Sequence, residues 1–530
     1  MSYLSKLKTR LDRWRLALLA VAAVYAVLLT INLTAMPMKW DEVNHLTGGL
    51  HLIRGEVVDY FQTSSFYPPM FNLVTAGYFA VGGASVFAAR LVAVTFAVLS
   101  VVAIYELANK MYGAKTALLS AVLFSVMPGI VWLSRVALIE TMLIFVFTVS
   151  MLYFFKWLTT HKPMDYTLSV TAFALGIAVK YQMLVVAPLT MVVSMLTLGK
   201  RSFLKNQVTR LFKVPRVIIV TVAAAIVALA LYELYAAGLL GVMWFAVSTG
   251  TAEKAVYSVR FPIPVFYLVE MVWPYSDVHP ISLLPYLAGL AGMGFLAFRR
   301  KLQDKFLLIW FAVIYAVFTL IPNREWRYVT PLFPALAISA ACLITKAYGK
   351  AQENWSSVKN NFTRRTLTRL GAAALAVFVV VAVFFSCQDA YTWVAKDQIE
   401  VPVEQASIFA GQNLAANESL MVACPLNLIN DEMVWFCINE KTPRPNKVWQ
   451  YPALAADAYT PAFNAAEFVS LCLQHEVEYV LFLEYGSSTR YFNTTLTPND
   501  VYRMMTKTGR FTLQQTFGTE PNRVFVFSFA

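Results

Sequence analysis

Asp41 and Glu42 stand side by side, a few residues beyond the first long apolar stretch of the sequence. A carboxylate just above an apolar phase can take a proton from a hydroxyl, provided partial burial raises its basicity toward neutrality. The cations that would complement it come singly: Arg135, with Glu140 close behind, then Lys180, then Arg324 and Arg327 with Glu325 and Tyr328. Each sits at the edge of a different apolar run. Ionisable groups at that depth are costly and usually face an interior cleft with a partner. Arginine grips a phosphate through two parallel N–H donors, and lysine offers it a compact charge. Arg54 and Arg90 instead fit the simpler role of snorkelling anchors or local ion pairs.

A base with phosphate-binding cations suits one reaction class. An acceptor hydroxyl attacks a sugar carbon, a lipid-linked phosphate leaves, and the cations stabilise the charge returning to it. No glycine-rich phosphate loop or dinucleotide fingerprint occurs, so the pattern asks for no nucleotide site.

The elements that must position these residues are membrane helices. Of 530 residues 58% are hydrophobic and only 14% charged, where a soluble domain has roughly a quarter charged. Apolar runs long enough to cross a bilayer are expected at Leu16–Thr34, Phe87–Ala108, Thr116–Leu133, Leu138–Leu158, Thr167–Val179 and Met183–Leu198. They continue at Val217–Ala237, Ile281–Phe298, Phe306–Ile321, Val329–Ile344 and Gly371–Phe385, about eleven crossings. The net charge of +13 falls into short basic clusters between alternate runs, as the positive-inside rule requires, and forms no stripe for nucleic acid. That alternation predicts a cytoplasmic N-terminus and an outer C-terminus.

The fold class is therefore an α-helical polytopic membrane protein with a small C-terminal α/β domain. The transmembrane part spans residues 1–387, with long outer loops at 35–86 and 238–280; a polar linker covers 388–405 and the soluble part 406–530. Within the first loop, Val43–Arg54 reads as a stretch lying in the membrane interface. In the tail, strands are expected at Leu420–Cys424, Tyr479–Leu483 and Val524–Phe529, and helices at Gln405–Ala416 and Ala465–His475. Cys424, Cys437 and Cys472 allow one disulfide if the tail is extracytoplasmic. Acceptor sequons at Asn417 and Asn493 agree with an outer tail, but those at Asn354 and Asn361 fall in a cytoplasmic loop and discriminate little.

The membrane region, roughly Trp40 to Pro334, resembles the GT-C superfamily, in its protein O-mannosyltransferase and aminoarabinose-transferase-like branch. The resemblance rests on Asp41-Glu42, Tyr67-Pro68-Pro69-Met70, Ala89-Arg90-Leu91, Ser134-Arg135 with Glu140, Gly176 with Lys180-Tyr181, and Arg327-Tyr328-Val329-Thr330-Pro331 with Pro334. It implies an inverting transfer of a sugar from a polyprenyl (dolichyl) phosphate donor to an acceptor hydroxyl at the outer face, in a multi-pass, prokaryotic cell membrane. The acceptor is a protein, glycan or lipid. Asp41 would be the general base and Glu42 its companion; Arg135, Lys180, Arg324, Arg327 and Tyr328 would meet the donor phosphate. Glu140 and Tyr67 would serve the acceptor, although many relatives carry Asp and His there. Some relatives bind a divalent ion nearby; His279 and Glu56 lack ligand spacing, so a metal stays open. His45 and His51 read as structural. The rival reading is a transporter or lipid flippase with an outer domain.

Overall fold

The computed structural model describes residues 13–64, 67–198, 260–274, 279–357, 362–398, 401–424, 429–451, 463–485 and 496–530, with Gly241 and Ser248 singly. The expected crossing Val217–Ala237, most of the second outer loop and Asn493 lie outside the described residues.

The chain opens with α1 (Arg13–Thr30) and a loop group, α2 (Trp40–Arg54), α3 (Val57–Thr63) and α4 (Met70–Gly82). The bundle continues through α5 (Val86–Tyr112), α6 (Ala114–Ser125), α7 (Pro128–Leu133), α8 (Glu140–Thr160), α9 (Pro163–Ile177) and α10 (Val186–Leu198). After the short α11 (Phe266–Glu270) come α12 (Leu283–Arg299), α13 (Leu302–Leu320), α14 (Leu332–Ser357) and α15 (Phe362–Lys396). Among the described residues six helices are long and apolar enough to cross a membrane: α1, α5, α8, α13, α14 and α15. The apolar spans of α1 and α15 are only 22% and 11% buried, against 72% for α8. The first two therefore line the lipid and the last forms the core. The protein is an integral, multi-pass membrane protein.

Local chemistry accounts for the breaks. Ser85 caps α5 by accepting from Ala88 N at 3.2 Å. Gly55 ends α2 in the left-handed region, φ 73°. The single run expected over Thr116–Leu133 is two helices, because Pro128 opens a new one at its first position, where its missing N–H costs nothing. Inside the bundle, Gly292 lets α12 approach the backbone of α14 at Ser339, which donates its hydroxyl to Gly289 O at 2.9 Å.

The stretch Val43–Arg54 is an ordered helix, forming most of α2, with Leu46, Thr47 and Leu50 buried. One loop expectation is corrected: 388–405 is not a polar linker throughout, since α15 runs on to Lys396. Its last turns are held by partners the sequence does not reveal. Ser282 donates to Asp389 at 2.5 Å, Trp132 Nε1 donates to Asp397 at 2.6 Å, and Trp393 stacks on Trp132.

The C-terminal domain holds α16 (Val403–Asn413), β1 (Ser419–Ala423), α17 (Asp431–Asn439), β2 (Val448–Tyr451), α18 (Ala465–Gln474), β3 (Val477–Tyr485), α19 (Pro498–Lys507), β4 (Phe511–Phe517) and β5 (Asn522–Phe529). The sheet runs β2-β1-β3-β5-β4, with β1, β2 and β3 parallel and β5 antiparallel to β3 and β4. All five expected elements occur within a few residues; β2, β4, α17 and α19 are additional. Cys424, Cys437 and Cys472 are buried with no disulfide among them.

The domain docks on the loop group through α17. Trp435 stacks on His51 with ring centres 4.7 Å apart, and Phe436 packs on Phe79. Arg54 donates to Asn439 O, so it joins two parts of the protein and is not a lipid anchor. In the first turn of α17, burial and then the neighbouring Asp431 push the Glu432 carboxyl up to about 7. An acid raised in the folded state loses its stabilising contribution as pH climbs from its unfolded value through that pKa. Glu432→Gln should therefore raise the unfolding temperature at pH 8 and leave it unchanged near pH 4, as read by thermal scans at the two pH values.

Candidate active site

The site lies where α2 begins. Its backbone is fixed by one fully buried ion pair. Arg90, on α5, donates Nε to Glu42 Oε1 at 2.7 Å and Nη2 to Oε2 at 2.8 Å, and both side chains are 0% exposed. The same carboxylate accepts from Ala137 N at 2.8 Å and Lys39 N at 3.2 Å. Arg90 also donates to the carbonyls of Leu33, Met36 and Pro37. Every oxygen of Glu42 is occupied, which suits a buried charge and leaves nothing for substrate. The structure thus places Glu42, expected beside Asp41 in the chemistry, in a buried ion pair with Arg90, and of the two readings of Arg90 it shows the local ion pair.

This ion pair turns Asp41 the other way. Its Oδ2 accepts from Arg327 Nη1 at 2.8 Å, and 35% of the Asp41 side chain stays exposed. Arg327 is held from behind by Glu325, bound through Nε and through Nη2, the latter at 3.1 Å. The turn carrying Arg327 is anchored by Trp326, which packs against Trp132, Trp393 and Phe333. Burial pulls the Asp41 pKa up, but the Arg327 charge and hydrogen bond, with Lys180 and His45, hold it below the ordinary carboxylate value.

Beside this pair, Lys180 Nζ donates to Glu140 Oε1 at 2.9 Å and lies 5.7 Å from the ring centre of Tyr328. Lys180 is presented because α9 ends at Ile177 and the chain extends before a 3₁₀ turn at Tyr181–Val185. Tyr328 accepts from Asn323 Nδ2 at 2.9 Å. Tyr67 enters through its contact with His45, ring centres 5.2 Å apart, and feels the charges of Asp41, Arg327 and Glu140. Asp41, Tyr67, Glu140, Lys180, Arg327 and Tyr328 therefore share one pocket, drawn from five separate chain segments.

Two expected phosphate ligands have backbone partners. Arg135 is 4% exposed and spends its guanidinium on the end of α1, donating to Leu29 O and Asn32 O at 2.7 Å each. Those carbonyls have no helical partner, and a cation satisfies them well. Arg324 is buried and donates Nε to Thr319 O at 3.0 Å. Sequence reasoning missed Glu325 as the support of Arg327. His45, read as structural, lies one helical turn after Asp41, is 1% exposed and is bound through Nδ1 to Asn72 Oδ1 at 2.6 Å. Its place beside Asp41 follows from the i, i+4 spacing, legible only once 40–54 is known to be an ordered helix.

A divalent ion would find one donor group among the described residues. His51, Glu56 and Asp59 bring a nitrogen and two carboxylate oxygens within 4.8 Å of one another, at the far end of α2 from Asp41. Glu56 bonds His51 Nδ1 at 2.8 Å, and His279 is not part of the group.

Residues 67–232 match the family dolichyl-phosphate-mannose-protein mannosyltransferase. No curated protein sequence matches the chain. Among solved structures, ArnT from Cupriavidus metallidurans bound to undecaprenyl phosphate is similar at TM-score 0.60 and 15% identity, covering 97% of this chain and 98% of that one. The Archaeoglobus fulgidus oligosaccharyltransferase in its apo form is similar at TM-score 0.54 and 14% identity, over 88% and 69% of the two chains. AglB of the same organism, complexed with an inhibitory peptide and a dolichol-phosphate, gives TM-score 0.54 and 13% identity over 91% and 70%. At these identities the structural likeness establishes the fold, and the family match over 67–232 carries the enzyme class. The protein is a membrane glycosyltransferase, with the mannosyltransferase family match lying over 67–232 and a fold like that of ArnT.

Proposed function

We propose that the protein transfers a sugar from a polyprenyl phosphate to an acceptor hydroxyl at the outer face of a prokaryotic cell membrane, with inversion at the anomeric carbon. The observation that carries this reading is the Asp41–Arg327 pair beside the Lys180–Glu140 pair. Arg327 and Lys180 take the phosphate, Asp41 takes the acceptor proton, and attack from the face opposite the phosphate inverts the carbon. Tyr328 and Tyr67 border the sugar and acceptor. That ArnT binds undecaprenyl phosphate, and AglB a dolichol-phosphate, supports the donor class.

The electrostatics give the pocket a sequence of events. Arg327 faces Asp41 directly and keeps it ionised but weakly basic. The donor's phosphodiester monoanion, drawn to Arg327 and Lys180, offsets part of that positive charge and raises the basicity of Asp41. The base becomes competent when the donor is in place.

Charge-assisted hydrogen bonds contribute about 1.5–3 kcal/mol each. Lys180→Met should therefore weaken binding of undecaprenyl phosphate by roughly 10- to 100-fold, measured by titration of the purified protein in nanodiscs. Unchanged affinity would remove Lys180 from the phosphate site.

A further inference from the structure

His45 is the buried titratable group that this mechanism has not used. The side chain is buried, yet among the described residues only one of its ring nitrogens has a partner: Nδ1 pairs with Asn72 Oδ1 at 2.6 Å, and Nε2 has none. A buried polar atom without a partner costs on the order of 1–3 kcal/mol, so such atoms in native proteins call for an explanation. Because Asn72 Oδ1 accepts, the ring proton lies on Nδ1 and Nε2 presents a lone pair. The ring is fixed by Phe71, with centres 4.7 Å apart, and by Tyr67 at 5.2 Å.

The surroundings of that lone pair belong to the reaction. The charged groups acting on His45 are Asp41, one turn back on α2, Glu140 at the start of α8, and Lys180 before the 3₁₀ turn. Asn72 and Tyr67 are its polar neighbours from α4 and the chain leading into it.

We propose that His45 is the proton-accepting partner of Asp41, resting on the functional reading above. As the acceptor oxygen bonds to the anomeric carbon, the bond from that carbon to the phosphate oxygen breaks and its electron pair stays on the phosphate. The acceptor proton leaves its oxygen for Asp41 and passes to Nε2 of His45, whose lone pair becomes an N–H bond. The imidazolium then stands with Arg327 and Lys180 opposite the released phosphate until product leaves and the proton returns to water. An aspartate held acidic by Arg327 is a poor resting place for a proton, whereas an imidazole holds one near neutrality. Burial lowers the His45 pKa, so the ring starts neutral and ready to accept. His45 is a positioning and relay residue, acting on the acceptor through Asp41.

The test uses the reaction's lipid product and needs neither the sugar nor the acceptor. Undecaprenyl phosphate is titrated onto the full-length protein in nanodiscs between pH 5.5 and 7.5, for the unaltered protein, His45→Gln and His45→Asn. A phosphate that raises the imidazole pKa by about one unit binds about tenfold more tightly at the acidic end. The unaltered protein should show that gain beyond the phosphate's own titration, which is common to all three proteins, and both variants should lack it. Equal pH dependence in all three would overturn the role of His45 and leave the donor assignment standing. No binding by the unaltered protein at any pH would overturn both. Asn72→Leu supplies a variant with His45 intact; losing the fixed tautomer, it should shrink the pH-dependent gain, and a full gain there counts against the relay.

Discussion

Asp41→Asn is expected to lower sugar transfer by about 10²- to 10⁴-fold, the range for loss of a general base, while the protein folds and inserts normally. The substitution keeps the size of the side chain and an oxygen for Arg327, and Arg327 keeps both bonds to Glu325. The pocket should therefore survive with only its base removed. Transfer rates and thermal scans on the same preparation check the two halves together. A variant that transfers sugar at the normal rate would remove Asp41 from the chemistry.

The residue next to it should behave in the opposite way. Glu42→Ala leaves the Arg90 guanidinium buried without its carboxylate and strands Ala137 N, and breaking such a pair costs about 3–5 kcal/mol. The expected result is a large fall in unfolding temperature and in folded yield. The double change Glu42→Leu with Arg90→Met removes both charges together and should recover part of that loss, because a well-packed apolar pair can replace a buried ion pair. A stable but inactive Glu42→Ala protein would return Glu42 to the chemistry. Two adjacent carboxylates thus separate cleanly, one by rate and one by stability.

The helices were legible because lipid imposes long uncharged runs, and that signal does not depend on tertiary contacts. α5, α8 and α13 fall close to where hydropathy puts them. The pocket was legible in part for a related reason: charges at the ends of apolar runs are expensive, so Asp41, Glu140, Lys180 and Arg327 stood out. What remained hidden was how each charge is satisfied. Arg135 and Arg327 look alike in sequence, but one caps α1 through backbone carbonyls and the other faces Asp41. Carbonyl acceptors carry no residue signature, so the two roles cannot be told apart without coordinates. The partners of Arg90 were hidden likewise, since Leu33 O, Met36 O and Glu42 meet it only once α2 folds back on α5. His45 was obscured by its setting: a lone histidine among Gly48, Gly49 and leucines reads as core until Asn72 is seen to hold one face of it.

The arrangement also separates the enzyme from a transporter. Transport sites usually form near the bilayer midplane on interrupted helices of repeated halves. Here Asp41, Lys180 and Arg327 gather at helix ends on the side that carries the C-terminal domain.

The most direct measurement follows the lipid phosphate itself. Purified protein in liposomes receives a panel of radiolabelled polyprenyl-phosphate sugars together with extracted cell-envelope acceptors. The account predicts polyprenyl phosphate released in equal amount to sugar covalently transferred, with both lost in Asp41→Asn. Lipid-linked sugar recovered intact in the opposite leaflet, with no free polyprenyl phosphate, would contradict it.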